Sequence, residues 1–128
     1  MIGLDTNVLV RYLAQDDKTQ SAQATALIEQ ECSVETPGFV AQIVLAEVVW
    51  VSESVYAATR NEIAEIVRRI LTIRQLTVQN TETAWQALRL FEAGRADFAD
   101  CLIERTASAA GCAKTMTFDK KSGMALLG

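Results

Sequence analysis

The chain has 128 residues, half of them hydrophobic, with 16 acids against 12 Lys and Arg and a net charge of −4. That size and composition suffice to bury a core covering about two-thirds of the unfolded surface, which predicts one domain over residues 1–128 and argues against disorder. There is no histidine, so Ser-His and Cys-His catalysis and most zinc sites are excluded, leaving carboxylates, lysine, hydroxyls or thiols for any chemistry.

Pro37 is the single proline, and there is no Ser/Gly-rich run to serve as a linker. No apolar run is long enough to span a membrane. The start, Met1-Ile2-Gly3-Leu4-Asp5, lacks the basic residues of a secretory signal. Cys32, Cys101 and Cys112 form no Cys-x-x-Cys pair and read as reduced thiols of a cytoplasmic protein.

Residues 1–4 form a short apolar run ending at Asp5, consistent with a buried strand. A helical pattern follows through Val8, Leu9, Tyr12 and Leu13, with Thr6 as its expected N-cap. Asp5 is then at the carboxyl end of the first strand, the edge where sites collect in open α/β sheets. The same Asp-Thr-Asn is also good turn chemistry. Asp16-Asp17-Lys18 is a solvated break. Residues 19–31 read as a helix with Ala22, Ala26 and Leu27 inward, and residues 34–36 as a short strand closed by Pro37-Gly38.

Residues 39–55 are the most apolar stretch, and their length favours a helix buried on most sides. Glu47 lies at its centre, with Ile43, Val44, Trp50 and Val51 as helical neighbours. A glutamate buried there needs a partner, either an arginine or a metal shared with other acids. Residues 59–74 form an amphipathic helix with Ile63, Val67 and Ile70 inward, residues 76–78 a strand, and residues 81–91 a helix capped by Thr81. Gly94 is a C-cap candidate.

Ala96-Asp97-Phe98-Ala99-Asp100-Cys101-Leu102-Ile103 opens the last helix with two acids at i, i+3. Asp97 with an acid at N3 is close to a capping box, and acids suit a first helical turn. Asp100 also falls one turn before Ile103 and two before Ala107, which predicts an inward position; a carboxylate there calls for a cation. Residues 112–118 read as a strand followed by Asp119, much as Asp5 follows the first. Lys120-Lys121 lies beside it.

Two acids at strand ends, two at a helix start and one within a helix share one edge in a compact α/β layer. Such a group cannot stay ionised without counter-charge. Oxygen ligands without His or Cys select Mg²⁺, with Mn²⁺ as a substitute, over zinc, and such clusters serve phosphoryl chemistry. Sixteen acids less these five leave eleven against twelve basic residues, so the net charge does not exclude a nucleic-acid partner. Arg11, Lys120 and Lys121 are candidate backbone contacts.

The segment from Met1 to Leu9, Glu47, the Asp97–Ile103 segment and Thr117-Phe118-Asp119 together resemble the acidic motifs of the PIN-domain ribonucleases, and among these the VapC toxins of toxin–antitoxin pairs. The likeness covers the whole chain in the family's order. It implies a three-layer α/β sandwich, with a central parallel sheet of four or five short strands flanked by helices. It implies a Mg²⁺-dependent endoribonuclease acting on RNA, with Asp5, Glu47 and Asp100 as core metal ligands. Asp97 and Asp119 would assist, while Thr6, Asn7 and Thr117 would orient the acids. A homodimer and an antitoxin that blocks the acidic pocket, often with a basic side chain, are implied as well. The alternatives are a housekeeping PIN nuclease of RNA processing and an inactive PIN-like binding module.

Overall fold

A computed structural model describes residues 1–128. The chain divides into two units, Met1–Gln79 and Asn80–Gly128. The α/β class and the parallel pairing agree with expectation. The five short strands, however, are divided between a three-stranded sheet in the first unit and a two-stranded sheet in the second.

The first unit runs β1 (Ile2–Gly3), α1 (Thr6–Ala14), α2 (Lys18–Ala26), a π-helical turn (Leu27–Glu31), β2 (Gly38–Val40), α3 (Gln42–Ser54), α4 (Arg60–Thr72) and β3 (Leu76–Val78). Helical crossovers between the strands make the sheet parallel. Its order is β1-β2-β3, with Ile2 opposite Gly38 and Gly38 opposite Leu76.

The central strand is displaced from its predicted place. Residues 34–36 form no strand, and Gly38-Phe39-Val40 is β2 instead of the beginning of the long helix. The ladder explains this. Ile2 N–H bonds the Pro37 carbonyl at 3.0 Å, and Gly38 N–H bonds that of Gln75 at 2.8 Å, so both neighbours hold this segment. Glycine suits its first position: a Cβ on Gly38 would lie 2.8 Å from Leu4 Cδ1 and 3.0 Å from Leu76 Cδ2, so that the leucine side chains would have to shift. Pro37-Gly38 therefore admits a central strand between two leucines, where the sequence suggested a turn.

The helices bury narrower faces than hydrophobicity alone implies. Helix α3 turns Leu45, Val48 and Val49 inward and leaves Ile43 and Trp50 exposed. Helix α2 turns Ser21 and Ala24 inward, with Ile28 beyond it, while Ala22 faces solvent. Helix α4 follows its periodicity, burying Ile63, Ala64, Val67 and Ile70. No helix is long and apolar enough to cross a membrane, and none of the three cysteines forms a disulfide.

The second unit comprises α5 (Thr81–Ala93), α6 (Phe98–Ala109), β4 (Met116–Thr117) and β5 (Ala125–Leu126). Asn80, in the left-handed region at φ 52°, precedes α5 as its cap position, in place of Thr81. Helices α5 and α6 meet through Phe91 and Phe98, whose rings stand edge to face with centroids 5.8 Å apart. Only Met116–Thr117 of the predicted strand over residues 112–118 pairs, with β5 in parallel. Thus the tail, which carries no sequence signal of its own, supplies the last strand.

Thr59 and Glu62 form a reciprocal capping box at the start of α4: Glu62 N–H donates to Thr59 Oγ1 at 3.2 Å, and Thr59 N–H to Glu62 Oε1 at 2.8 Å. Thr59→Ala is expected to cost about 1 kcal/mol. Urea unfolding should show a lower midpoint with an unchanged slope; an unchanged midpoint would mean that α4 does not depend on its cap.

Candidate acidic site

In the first unit, Leu4 N–H continues the ladder by bonding the Phe39 carbonyl at 3.0 Å, which fixes where β1 ends and Asp5 begins. Asp5, rather than Thr6, caps α1, its Oδ1 accepting Val8 N–H at 3.1 Å. Thr6 is thereby released for another task. Its hydroxyl donates to Glu47 Oε1 at 2.7 Å, tying α1 to α3. Asp5, Thr6, Asn7, Glu47, Trp50 and Val51 line one shallow depression.

Glu47 corrects an expectation. It is exposed, not buried among apolar neighbours, because Ile43 and Trp50 on its side of α3 are themselves 69% and 66% exposed. Burial therefore imposes no need for a partner on it. Its partner is the Thr6 hydroxyl, and no arginine neutralises it. The case for Glu47 as a ligand rests instead on the depression it shares with Asp5. Arg11 contacts Gln20, Asp16 and Tyr56 within this unit, at 2.8, 3.3 and 3.5 Å.

In the second unit, Asp97 occupies the N-cap position of α6, yet its side chain makes no capping hydrogen bond. The capping-box reading of the acidic pair therefore fails. The expected inward face is also shifted. Phe98, Cys101 and Leu102 are buried, Asp100 is half-buried, and Ile103 is 52% exposed. Burial, and then the charges of Asp97 and Asp119, push the Asp100 carboxyl above its ordinary range. Asp97 and Asp119 are thus close enough for their charges to act on Asp100.

Asp119 lies in a constrained loop. Its N–H donates to Thr117 Oγ1 at 3.0 Å, and its Oδ1 accepts Lys121 N–H at 2.9 Å. Thr117 supports this acid through the backbone, while Thr6 supports Glu47 through the side chain; Asn7 lines the depression beside Asp5. Sequence reasoning missed that Trp50 and Val51 border the same depression. The signal was their spacing, three and four residues beyond Glu47 on a helix.

The donor set suits a divalent cation. Every candidate ligand is a hard carboxylate oxygen, and one aspartate is held against two like charges. No group of three His, Cys, Asp or Glu side chains is placed to hold a metal ion.

Carboxylates at strand ends and helix starts of a parallel α/β chain are an arrangement suited to hydrolases of phosphodiester bonds. The profile of the PIN domain matches residues 2–124, a span that runs through both units, and the chain belongs to that family. The family is one of nucleases, hydrolases acting on nucleic acids that typically use divalent metals. No curated protein and no solved structure gives a match.

The raised Asp100 pKa has a definite sign for stability. The fold favours the neutral carboxyl, so this contribution to stability is present at low pH and lost as pH rises through the raised value. In EDTA, Asp100→Asn should raise the melting temperature relative to wild type at pH 8. The gap should shrink as pH falls toward 4, near the ordinary carboxylate range. A gap independent of pH would show that Asp100 carries no such penalty.

Proposed function

We propose that this chain is a Mg²⁺-dependent endoribonuclease, with Mn²⁺ as a substitute, that acts as the toxin of a VapC-type toxin–antitoxin pair. The observation that carries the reading is the half-buried Asp100 set against Asp97 and Asp119, within a PIN domain match that includes all five acids. That continuous match also supports residues 1–128 acting as one PIN-like domain.

Asp5, Glu47, Asp97, Asp100 and Asp119 are the residues that would hold the cation. A divalent cation held there would supply Lewis-acid activation of water and charge stabilisation at the phosphate. The chain's own residues prepare that chemistry. Asp97 leaves its carboxylate out of helix capping. Thr6 holds Glu47 in one orientation. Thr117 and Lys121 N–H fix the backbone and one oxygen of Asp119. Asp100 is ionised most readily with a cation beside it, which couples its charge state to metal binding.

The toxin role, a homodimer and an antitoxin that covers the acids with a basic side chain follow the VapC resemblance. An inactive binding module has no use for mutually repelling aspartates. Work in the cytoplasm accords with three cysteines outside any disulfide.

RNA incubated with purified protein should be cut with Mg²⁺ and left intact in EDTA. Asp5→Asn and Asp100→Asn should each lose at least about 100-fold in rate, as expected for metal ligands. Full activity in either variant, or activity without metal, would refute the mechanism. Expression should arrest growth, with relief by an adjacent antitoxin gene; cleavage without arrest would favour a housekeeping nuclease.

Thr6→Val removes the hydroxyl that orients Glu47 and keeps the size of the side chain. The metal concentration for half-maximal cleavage should rise about 10-fold or more. An unchanged Mg²⁺ titration would remove Glu47 from the set of ligands.

A further inference from the structure

Trp50 stands out into solvent beside the acids of the first unit. It is 66% exposed, although tryptophan is on average a well-buried residue. Beyond the bonds of its own helix, only its carbonyl is engaged, accepting the Ser54 hydroxyl at 2.7 Å. The indole itself has no hydrogen bond or ring contact.

The indole borders the depression that holds Asp5 and Glu47, which has a volume of about 370 Å³. That lies at the lower end of small-ligand sites, about 300–1,000 Å³, and gives room for a nucleoside. Trp50 follows Glu47 by three residues on α3. Side chains at that spacing are neighbours on a helix, with Cβ atoms about 5–6 Å apart. One nucleotide covers such a step, since its phosphate and base are joined through a single sugar.

The lining decides what fits. No lysine or arginine borders the depression, and two carboxylates do, so a phosphate has no protein cation to meet there. A second copy of the chain seated on this face is disfavoured too. Glu47 stands between Ile43 and Trp50 on α3, and an interface over the two apolar side chains would take its carboxylate out of water. Charged groups are depleted from interface cores for that reason. A nucleobase meets neither difficulty: it carries no charge, its face stacks on an indole, and its polar edge stays hydrated.

We infer that Trp50 is a stacking platform for one base of a single-stranded RNA, at the nucleotide next to Asp5 and Glu47. The inference rests on the nuclease reading above. The platform positions the strand without selecting its sequence, since every base presents a π-face.

The test is fluorescence anisotropy of labelled single-stranded RNAs of several sequences, on an Asp100→Asn background with Mg²⁺. Trp50→Ala should weaken binding about 10-fold for every sequence, whereas Trp50→Phe, which keeps a ring, should stay within about 3-fold of the parent. Trp50→Leu, apolar but without a ring, should lose as much as the alanine variant. With Trp85 of α5 changed to Phe, Trp50 is the one tryptophan left, and RNA should quench its fluorescence. Equal binding by the leucine variant and the parent, or no quenching, would overturn stacking. Unchanged RNA affinity in Trp50→Ala would overturn the site and leave the nuclease reading intact. If that variant also lost a dimer that the parent forms in sedimentation, the indole would belong to an interface between copies instead. Absence of RNA binding by the parent would overturn both readings.

Discussion

The charges of Asp97 and Asp119 acting on the half-buried Asp100 are the constraint around which the second unit is built. Three like charges near the first turn of one helix are unfavourable by themselves, and half-burial makes the middle one worse. The helix N-terminus offers its partial positive charge, but that is worth only about 0.3–1 kcal/mol at an exposed site. What holds Asp100 in place is apolar. Phe98, Cys101 and Leu102 flank it in sequence and are buried, and the Phe98 ring packs edge-on against Phe91. Burying one such large side chain contributes about 1.5–3 kcal/mol. The core of the second unit thus holds Asp100 half-buried beside two like charges.

The first unit reaches its acids differently, through backbone hydrogen bonds instead of helix packing. β2 is the middle strand, and its pairing on both sides sets the ends of β1 and β3. Asp5 emerges where Leu4 makes the last bond to Phe39. At the far edge, Gln79 N–H bonds the Val40 carbonyl at 2.8 Å, and its side-chain Oε1 accepts Gln42 N–H at 2.9 Å. That second bond satisfies one of the donors left open at the start of α3, whose own cap residue, Ala41, has no polar side chain to offer. The register of one short strand therefore fixes both the residue after β1 and the helix that carries Glu47. The Thr6–Glu47 hydrogen bond then joins the two.

These features differ in how legible they were from the residues alone. The acids were legible because carboxylates in apolar company are costly and stand out, as at Asp100. The amphipathic α4 and the strand at residues 76–78 were legible because periodicity and β-branched content agree there. The position of β2 was not, because Pro-Gly signals a turn by local propensity. Only the close approach of Leu4 and Leu76 shows how little room lies beside the first residue of that strand. The exposure of Glu47 was not legible either. A run such as Ile43, Val44, Leu45, Val48, Val49, Trp50 and Val51 looks buried all round, yet only Leu45, Val48 and Val49 of it are fully buried. Composition reports how much apolar surface a helix has, not how much of it the neighbouring elements can cover. The caps moved by one residue, from Thr6 to Asp5 and from Thr81 to Asn80, because several adjacent residues share capping chemistry and the strand ends decide among them.

The shift from Thr6 to Asp5 matters most for function, because it changes what each residue has left to give. Had Thr6 capped α1, its hydroxyl would be occupied by the helix and Glu47 would lack its donor. With Asp5 as cap, one carboxylate oxygen serves Val8 N–H, and the Thr6 hydroxyl is free to orient an acid forty-one residues away. In the second unit the economy runs the other way: Asp97 takes the cap position and withholds its carboxylate from the helix. A side chain that completes a helix cannot also be fully available to a cation. Asp97 leaves its helix without a side-chain cap, whereas Asp5 commits a single oxygen to its own.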